Sequence, residues 1–416
     1  MIRVLELVAA AGTVASIAYY AVCLWSAAGF LRGSAGLPRL RGRRKEAPGP
    51  STPHPLPLAE GDAPVGMTTL GIPISILKPL KGTDPEMYEN FRSHCLQDYP
   101  DYEVIFGVND PADPAVELVE RLKREFPELP VRLILCSRDV GANTKVGNLA
   151  QMLRATRHEV IVVNDSDIRV SPDYLRRVTA PLGRAETGLV TCLYRGIANR
   201  SLGSRLESLG ISTDFAAGVL VARQTEGIKF GLGSTLAFRR RDLEAIGGFE
   251  GLVDYLADDY QVGARMARQG WKVELSDVVV ETLLPQYSIS DFLAHQLRWA
   301  RTIRDSRFWG YVGLGLTFGL PWAALALFFS GGARWAWGLF GLALAMRAAV
   351  AWKVGRSVLD DRQVLSLLYL LPLRDVVACF VWIASFAGQT IHWRGEVFQL
   401  RKGKLMRGEM PDWPGS

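Results

Sequence analysis

Val160-Ile161-Val162-Val163-Asn164-Asp165-Ser166-Asp167 sets four β-branched residues directly ahead of two carboxylates spaced two apart. A short unbroken apolar run of this kind predicts a strand buried on both faces, as in a parallel sheet covered by helices. Open α/β sheets bind ligands beyond the carboxyl ends of their strands. Alternate residues of an extended segment point the same way, so Asp165 and Asp167 are expected to share one hard cation, Mg²⁺ or Mn²⁺. Such a cation would hold a nucleotide diphosphate. A turn or a helix cap is the competing use of the pair.

Outward from this strand, residues 74–79, 103–108, 132–136, 189–193 and 272–275 also read as strands, with helical patterns between them. In one of these, residues 114–126, Val116, Val119, Leu122 and Phe126 recur at helical spacing. Residues 72–309 are therefore expected to form one α/β domain with a largely parallel sheet. Ahead of it, the apolar residues 4–31 exceed the roughly 20 needed to cross a bilayer and carry no small-residue cleavage site. They predict a retained N-terminal transmembrane anchor. With its basic flank of Arg39, Arg41, Arg43, Arg44 and Lys45, the anchor unit spans residues 1–45, and the flank places the following chain in the cytoplasm. Residues 46–71, rich in proline, read as an extended linker.

Beyond the domain, residues 310–391 turn apolar. Runs at 311–330 and 335–352 predict a transmembrane hairpin. The stretch 364–388 is interrupted by Pro372, Arg374 and Asp375, so it is either one kinked span or an interfacial piece followed by a short span. Three further crossings would leave the basic tail, residues 392–416, outside, against the cytoplasmic preference of lysine and arginine. A re-entrant segment would bring it back.

Composition narrows the function. With 48 basic against 42 acidic residues, the balance of +6 announces no polyanionic partner, and no nucleic acid is expected. Five cysteines stand singly, without the spacing of a disulfide framework or zinc ribbon. No Gly-x-Gly-x-x-Gly follows the first strand, which argues against a nicotinamide enzyme.

Three further features carry chemistry. Asp110 ends the strand 103–108, where it either reaches a ligand across the sheet edge or sits in an exposed turn before Pro111. Asp258-Asp259 precedes the helical pattern 260–268, so one carboxylate can cap that helix while its neighbour points into the cleft; capping alone explains either. His295-Gln296-Leu297-Arg298-Trp299 lies on a helix entering the membrane hairpin. Arg298 suits phosphate pairing beside an aromatic wall, whereas Arg304 and Arg307 suit membrane-surface anchoring.

In this order, and with Leu77-Lys78-Pro79-Leu80-Lys81-Gly82-Thr83-Asp84-Pro85, Asp98-Tyr99-Pro100-Asp101-Tyr102-Glu103-Val104 and Trp393-Arg394-Gly395, the chain resembles the family 2 and family 21 membrane glycosyltransferases, in particular the ceramide glucosyltransferase-like branch. The resemblance implies a GT-A (Rossmann-like) domain in which Asp110 contacts uracil and ribose, Lys145 lies on the donor side, and Asp165 and Asp167 hold the metal. It further implies Asp259 as catalytic base and Arg298 with Trp299 as a closing motif. That motif usually begins with Gln or Arg, where this chain has His295, with Gln296 one residue late. One residue turns about 100° around a helix, so either His295 or Gln296 fills the position.

The implied reaction is inverting transfer from a UDP-sugar to a hydroxyl of a membrane lipid. Similarity to the bacterial hopanoid-associated enzymes narrows it to N-acetylglucosamine on a polyhydroxylated hopanoid, at the cytoplasmic face of the bacterial inner membrane. Ceramide glucosylation is the second reading. A membrane protein that binds nucleotide sugars or translocates a polymer without turnover is the alternative from another class.

Overall fold

The computed structural model describes residues 1–34, 71–393 and 396–407. The basic cluster Arg39–Lys45, linker residues 46–70, Arg394 and Gly395 of the Trp-Arg-Gly motif, and residues 408–416 lie outside the described residues.

Eight strands form the main sheet: β1 Ile74–Pro79, β2 Tyr102–Val108, β3 Val131–Leu135, β4 Val160–Val163, β5 Ile168–Arg169, β6 Thr187–Ile197, β7 Leu236–Arg239 and β8 Lys272–Leu283. Their spatial order is β3-β2-β1-β4-β7-β6-β8-β5. The first four in that order run parallel, β7 is antiparallel to both its neighbours, and β6 and β8 are again parallel. β1, β2 and β4 are buried at every position because helices cover both faces, which is why their sequences show apolar runs instead of alternation. The sheet thus follows the expectation, with β8 extending eight residues beyond the expected 272–275, out to Leu283.

The N-terminal helix Ile2–Ser34 has 33 residues, which at about 1.5 Å each makes it longer than a ~30 Å hydrocarbon layer. Its surplus is not idle. Tyr20, Cys23, Ala27 and Phe30 join the same core cluster as Leu77, Ile161 and Phe238 of the sheet. The anchor is therefore seated on the α/β domain.

After the domain, Phe308–Thr317 and Gly319–Phe329 form a pair bent by 54°, and Arg334–Val358 and Gln363–Ser385 are long and apolar enough to cross a membrane. Gln363–Ser385 ends in the helix Leu371–Ser385, which behaves otherwise. At its start Arg374 donates to Gln296, and at its end Ser385 accepts from Arg304 and Ala387 from Arg301, so it lies along the helix Ile289–Ser306. Both of its ends touch the α/β domain's last helix.

The basic tail carries structure that its composition did not announce. β9 Thr390–Trp393, β10 Glu396–Arg401 and β11 Lys404–Arg407 form an antiparallel sheet. Ile391, Phe398 and Leu405 pack on Ala142 and Leu256, while Arg401 and Arg407 stay exposed. Leu405 donates its amide to the Asp254 carbonyl at 2.7 Å and Leu256 donates to Gly403 at 3.2 Å. The basic count of this segment masks a period of two.

Candidate active site

Asp165 leaves the sheet at the carboxyl end of β4. Lys78, buried at the neighbouring end of β1, donates to the Asp165 carbonyl at 2.8 Å, and the Asn164 amide donates to the Tyr174 hydroxyl at 2.8 Å and the Ser234 carbonyl at 2.7 Å. This backbone is fixed before any ligand arrives. Burial holds Lys78 down to about 7, against the pull of Asp167 and Asp165.

Lys145 comes from the helix Thr144–Leu153. Asn143 caps that helix through Val146 at 3.2 Å and donates to the Tyr255 carbonyl at 2.7 Å, tying the lysine to the loop before Asp258. Asn109 and Asn148 exchange amide hydrogen bonds of 2.7 and 2.8 Å, which lock the same helix to the end of β2. Lys145 Nζ then lies 2.7 Å from Asp165 Oδ1 and 3.4 Å from Asp258 Oδ2. Burial disfavours its charge, but the two carboxylates outweigh that and hold it above its ordinary range.

Asp258 and Asp259 open the helix Asp258–Arg268, and neither side chain caps it in the ordinary way. Both line the cavity. Burial first, then the neighbouring Asp258, pushes Asp259 up to about 6. Burial and then Asp165 push Asp167 up to about 6, and Asp167 accepts from the Thr282 hydroxyl. A Cβ placed on Gly233 would stand 3.2 Å from Asp259 Oδ2 and 3.3 Å from Asp165 Oδ2. The missing side chain leaves the gap between these two carboxylates open, and one sugar ring can touch both.

Lys145, Asp165, Asp167, Gly233, Asp258, Asp259 and Thr282 all line one cavity of about 1010 Å³. It continues past Trp299 and Arg298 to Tyr20, Phe318 and Trp382 on the apolar helices. His295 and Gln296 both line it but face different partners. His295 accepts from or donates to the Tyr287 hydroxyl at 2.8 Å and packs on Trp299, with ring centroids 5.6 Å apart. Burial, then Arg298, lowers it to about 4, so it is neutral at neutral pH. Gln296 donates to Glu207 at 2.5 Å and accepts from Arg374 at 3.1 Å. His295 thus shares Trp299's neighbourhood, and Gln296 belongs to a buried polar network with Glu207.

Asp110 is not brought into this cavity. It is exposed, and its carboxylate accepts from the Ala112 amide at 2.8 Å, an Asx turn ahead of the following helix.

Sequence reasoning missed Glu207, Thr282 and Tyr194, all in the cavity wall. Glu207 lies in the amphipathic helix Leu202–Gly210, where a lone acidic residue gives no signal of burial.

Asp165 gives Oδ1 to Lys145 and Asp167 gives Oδ2 to Thr282, so each keeps a second oxygen for a hard cation. Among the described residues no group of three potential ligands gathers, so the remaining positions would fall to diphosphate and water, as Mg²⁺ and Mn²⁺ accept. The donor set fits such an ion.

Comparison with known proteins bears on the family and the fold. Ceramide glucosyltransferase 3 of Caenorhabditis elegans is 26% identical over 349 residues, covering 79% of this chain and 73% of its own length. Beta-monoglucosyldiacylglycerol synthase of Synechocystis is 26% identical over 254 residues, covering 59% of this chain and 50% of the relative. The mannosyltransferase PcManGT of Pyrobaculum calidifontis, solved with GDP-Man and Mn²⁺, superposes with a TM-score of 0.50 at 18% identity, covering 92% of this chain and 99% of that one, a likeness of fold. The glycosyl transferase family 21 profile matches residues 8–406, and the chain accordingly belongs to that family, a sugar-transferring enzyme built on a GT-A domain.

Proposed function

We propose that the protein transfers a hexose from a UDP-sugar to a hydroxyl of a membrane lipid with inversion. One observation carries this reading: Asp165 and Asp259 converge over Gly233 in a cavity that runs on between apolar helices. A soluble acceptor needs no such exit; a lipid whose body stays in the bilayer does.

The donor lies over the carboxyl ends of β1, β2 and β4. Asp165 and Asp167 would hold a divalent cation, which when bound neutralises the diphosphate. Arg298, in the same wall, adds positive charge where the leaving group develops its own. Asp110 meets the uracil and ribose at the outer edge. Asp259 removes the acceptor proton: with a pKa near 6 it is ionised at neutral pH and still more basic than an ordinary carboxylate. Lys145 holds Asp165 and Asp258 in place and limits the repulsion among four carboxylates. A single displacement follows, and an α-linked donor yields a β-linked product.

The chain crosses the bilayer three times in this reading. The N-terminal helix runs inward, the bent pair outward and Arg334–Val358 inward again, with Leu371–Ser385 lying at the interface. The α/β domain and the tail sheet then share the cytoplasmic side of a bacterial inner membrane, since β11 is bonded to the loop before Asp258. The positive-inside preference is met at both ends.

The finer reading is N-acetylglucosamine on a polyhydroxylated hopanoid, supported by the sequence resemblance; glucosylation of a ceramide is the second, supported by the names of the curated relatives. Incubating the purified protein with mixed UDP-sugars and a total membrane lipid extract, followed by lipid mass spectrometry, identifies both substrates. No new glycolipid, with UDP-sugar still bound, would favour the non-catalytic alternative.

A further inference from the structure

A lysine is almost never fully buried, because its ammonium gives up its hydration there, yet Lys78 in β1 is 0% exposed. The register of the sheet shows what it does in that place. β1 pairs with β4 through Leu77 and Val163, and the Asn164 amide donates to the Leu77 carbonyl at 3.2 Å, the last rung of that ladder. Asp165 is the first residue beyond it. There the Lys78 ammonium takes over, donating to the Asp165 carbonyl at 2.8 Å, while the Ile168 amide reaches the same oxygen at 3.3 Å. A side chain of β1 thus carries the pairing one residue further, onto a residue that lines the cavity.

The ammonium is itself aimed. His94, also 0% exposed, comes from the helix Met87–Cys95 and sets its Nε2 3.5 Å from Lys78 Nζ. Its Nδ1 lies 2.9 Å from the Asn90 carbonyl, which can only accept, so Nδ1 carries the proton and Nε2 turns its lone pair to the ammonium. Burial, then Lys78, holds the ring well below its ordinary range and so uncharged. A relay from Asn90 through His94 and Lys78 to Asp165 therefore ties that helix to the turn at the sheet edge. Lys145 ion-pairs with carboxylates, whereas Lys78 bonds to a carbonyl and an imidazole. It takes up none of the carboxylate oxygens that a cation needs.

We propose that Lys78, aimed by His94, is a positioning residue for the cation site: it holds the Asp165 carbonyl so that the Asp165 and Asp167 carboxylates meet one ion with little rearrangement. This assignment rests on the reading of that pair as cation ligands. Lys78 acts through Asp165 and stays outside the cavity wall. Outer groups that orient metal ligands in this way are worth about 10–100-fold in metal affinity.

The test is Mn²⁺ binding to the purified full-length protein in nanodiscs, read from the electron paramagnetic resonance of free Mn²⁺ with and without UDP, beside thermal unfolding without added metal. Lys78→Met fills much the same space without the donor. It should bind Mn²⁺ about 10–100-fold more weakly, yet unfold close to the wild type, because the lost hydrogen bond is offset by an ammonium no longer buried. His94→Leu, which keeps the donor and removes what aims it, should weaken Mn²⁺ binding by a smaller factor. Wild-type Mn²⁺ affinity in a folded Lys78→Met overturns the assignment; where that variant does not fold, wild-type affinity in His94→Leu overturns it. A weakened affinity that returns to the wild-type value on cooling below the variant's unfolding transition overturns it as well, since Lys78 then supports only the fold. A wild type that binds no Mn²⁺ with or without UDP overturns the cation reading itself, and the assignment with it.

Discussion

The two ends of the cavity bury charge in opposite ways. At the sheet edge, Asp165 and Asp258 flank Lys145 while Asp167 and Asp259 line the same wall, an excess of like charge. Between the helices, Arg347 is matched almost contact for contact by Asp375, Asp214 and Thr213. Excess charge raises carboxylate pKa values and prepares a site for a cation and a proton transfer; matched charge fixes helices where water cannot. One end is poised, the other is settled.

The largest effect that would break this contrast is at the poised end. Asp259→Asn should cut transfer by about 10²–10⁴-fold, with UDP-sugar affinity by calorimetry nearly unchanged. Undiminished turnover would place the base elsewhere. The same variant should unfold no more easily at neutral pH. The Asp259 pKa is about 6 in the fold against 3.8 ordinarily, so its carboxylate contributes stability at low pH that is lost as pH rises through that window.

At the settled end, Arg347→Met leaves two carboxylates facing each other and should cost about 3–5 kcal/mol in thermal or denaturant unfolding. Adding Asp375→Leu should recover much of the loss; no recovery would mean that the pair is not the brace. Smaller again is the pH profile. Transfer should fall about tenfold per unit below a pH of about 6, where Asp259 gains its proton, and a profile flat down to pH 5 would contradict the base assignment. Smallest, Asp110→Ala should raise the KM for UDP-sugar by about threefold to tenfold with kcat unchanged, because an exposed group contributes little binding. A loss in kcat would show that the turn reorganises around the donor.

What the sequence made legible followed from strong local periodicity. The 160–163 run, its flanking strands and the apolar helices all announce themselves through period and length. Asp165 and Asp259 were found because a carboxylate at a strand end or helix start is locally conspicuous. Glu207 and the paired Arg347 and Asp375 were not, since their meaning lies in partners up to 133 residues away in the chain. The sheet in the tail was not legible because Arg401, Lys402, Lys404 and Arg407 dominate its composition, while Phe398, Leu400 and Leu405, the buried side of two short strands, are few. Asp110 is as conspicuous in the sequence, and the contact it makes in the fold is the turn to Ala112.

The tail sheet has a further consequence for how the enzyme matures. Its strands β10 and β11 follow the apolar helices along the chain and clasp the loop at Asp254 and Leu256 that leads into Asp258 and Asp259. A nascent polypeptide already threaded into the lipid would therefore lack the support of this carboxylate-bearing loop until the tail sheet has been made. Truncation after Gln389 should accordingly leave an inserted but idle protein, detectable by normal membrane extraction without glycolipid product.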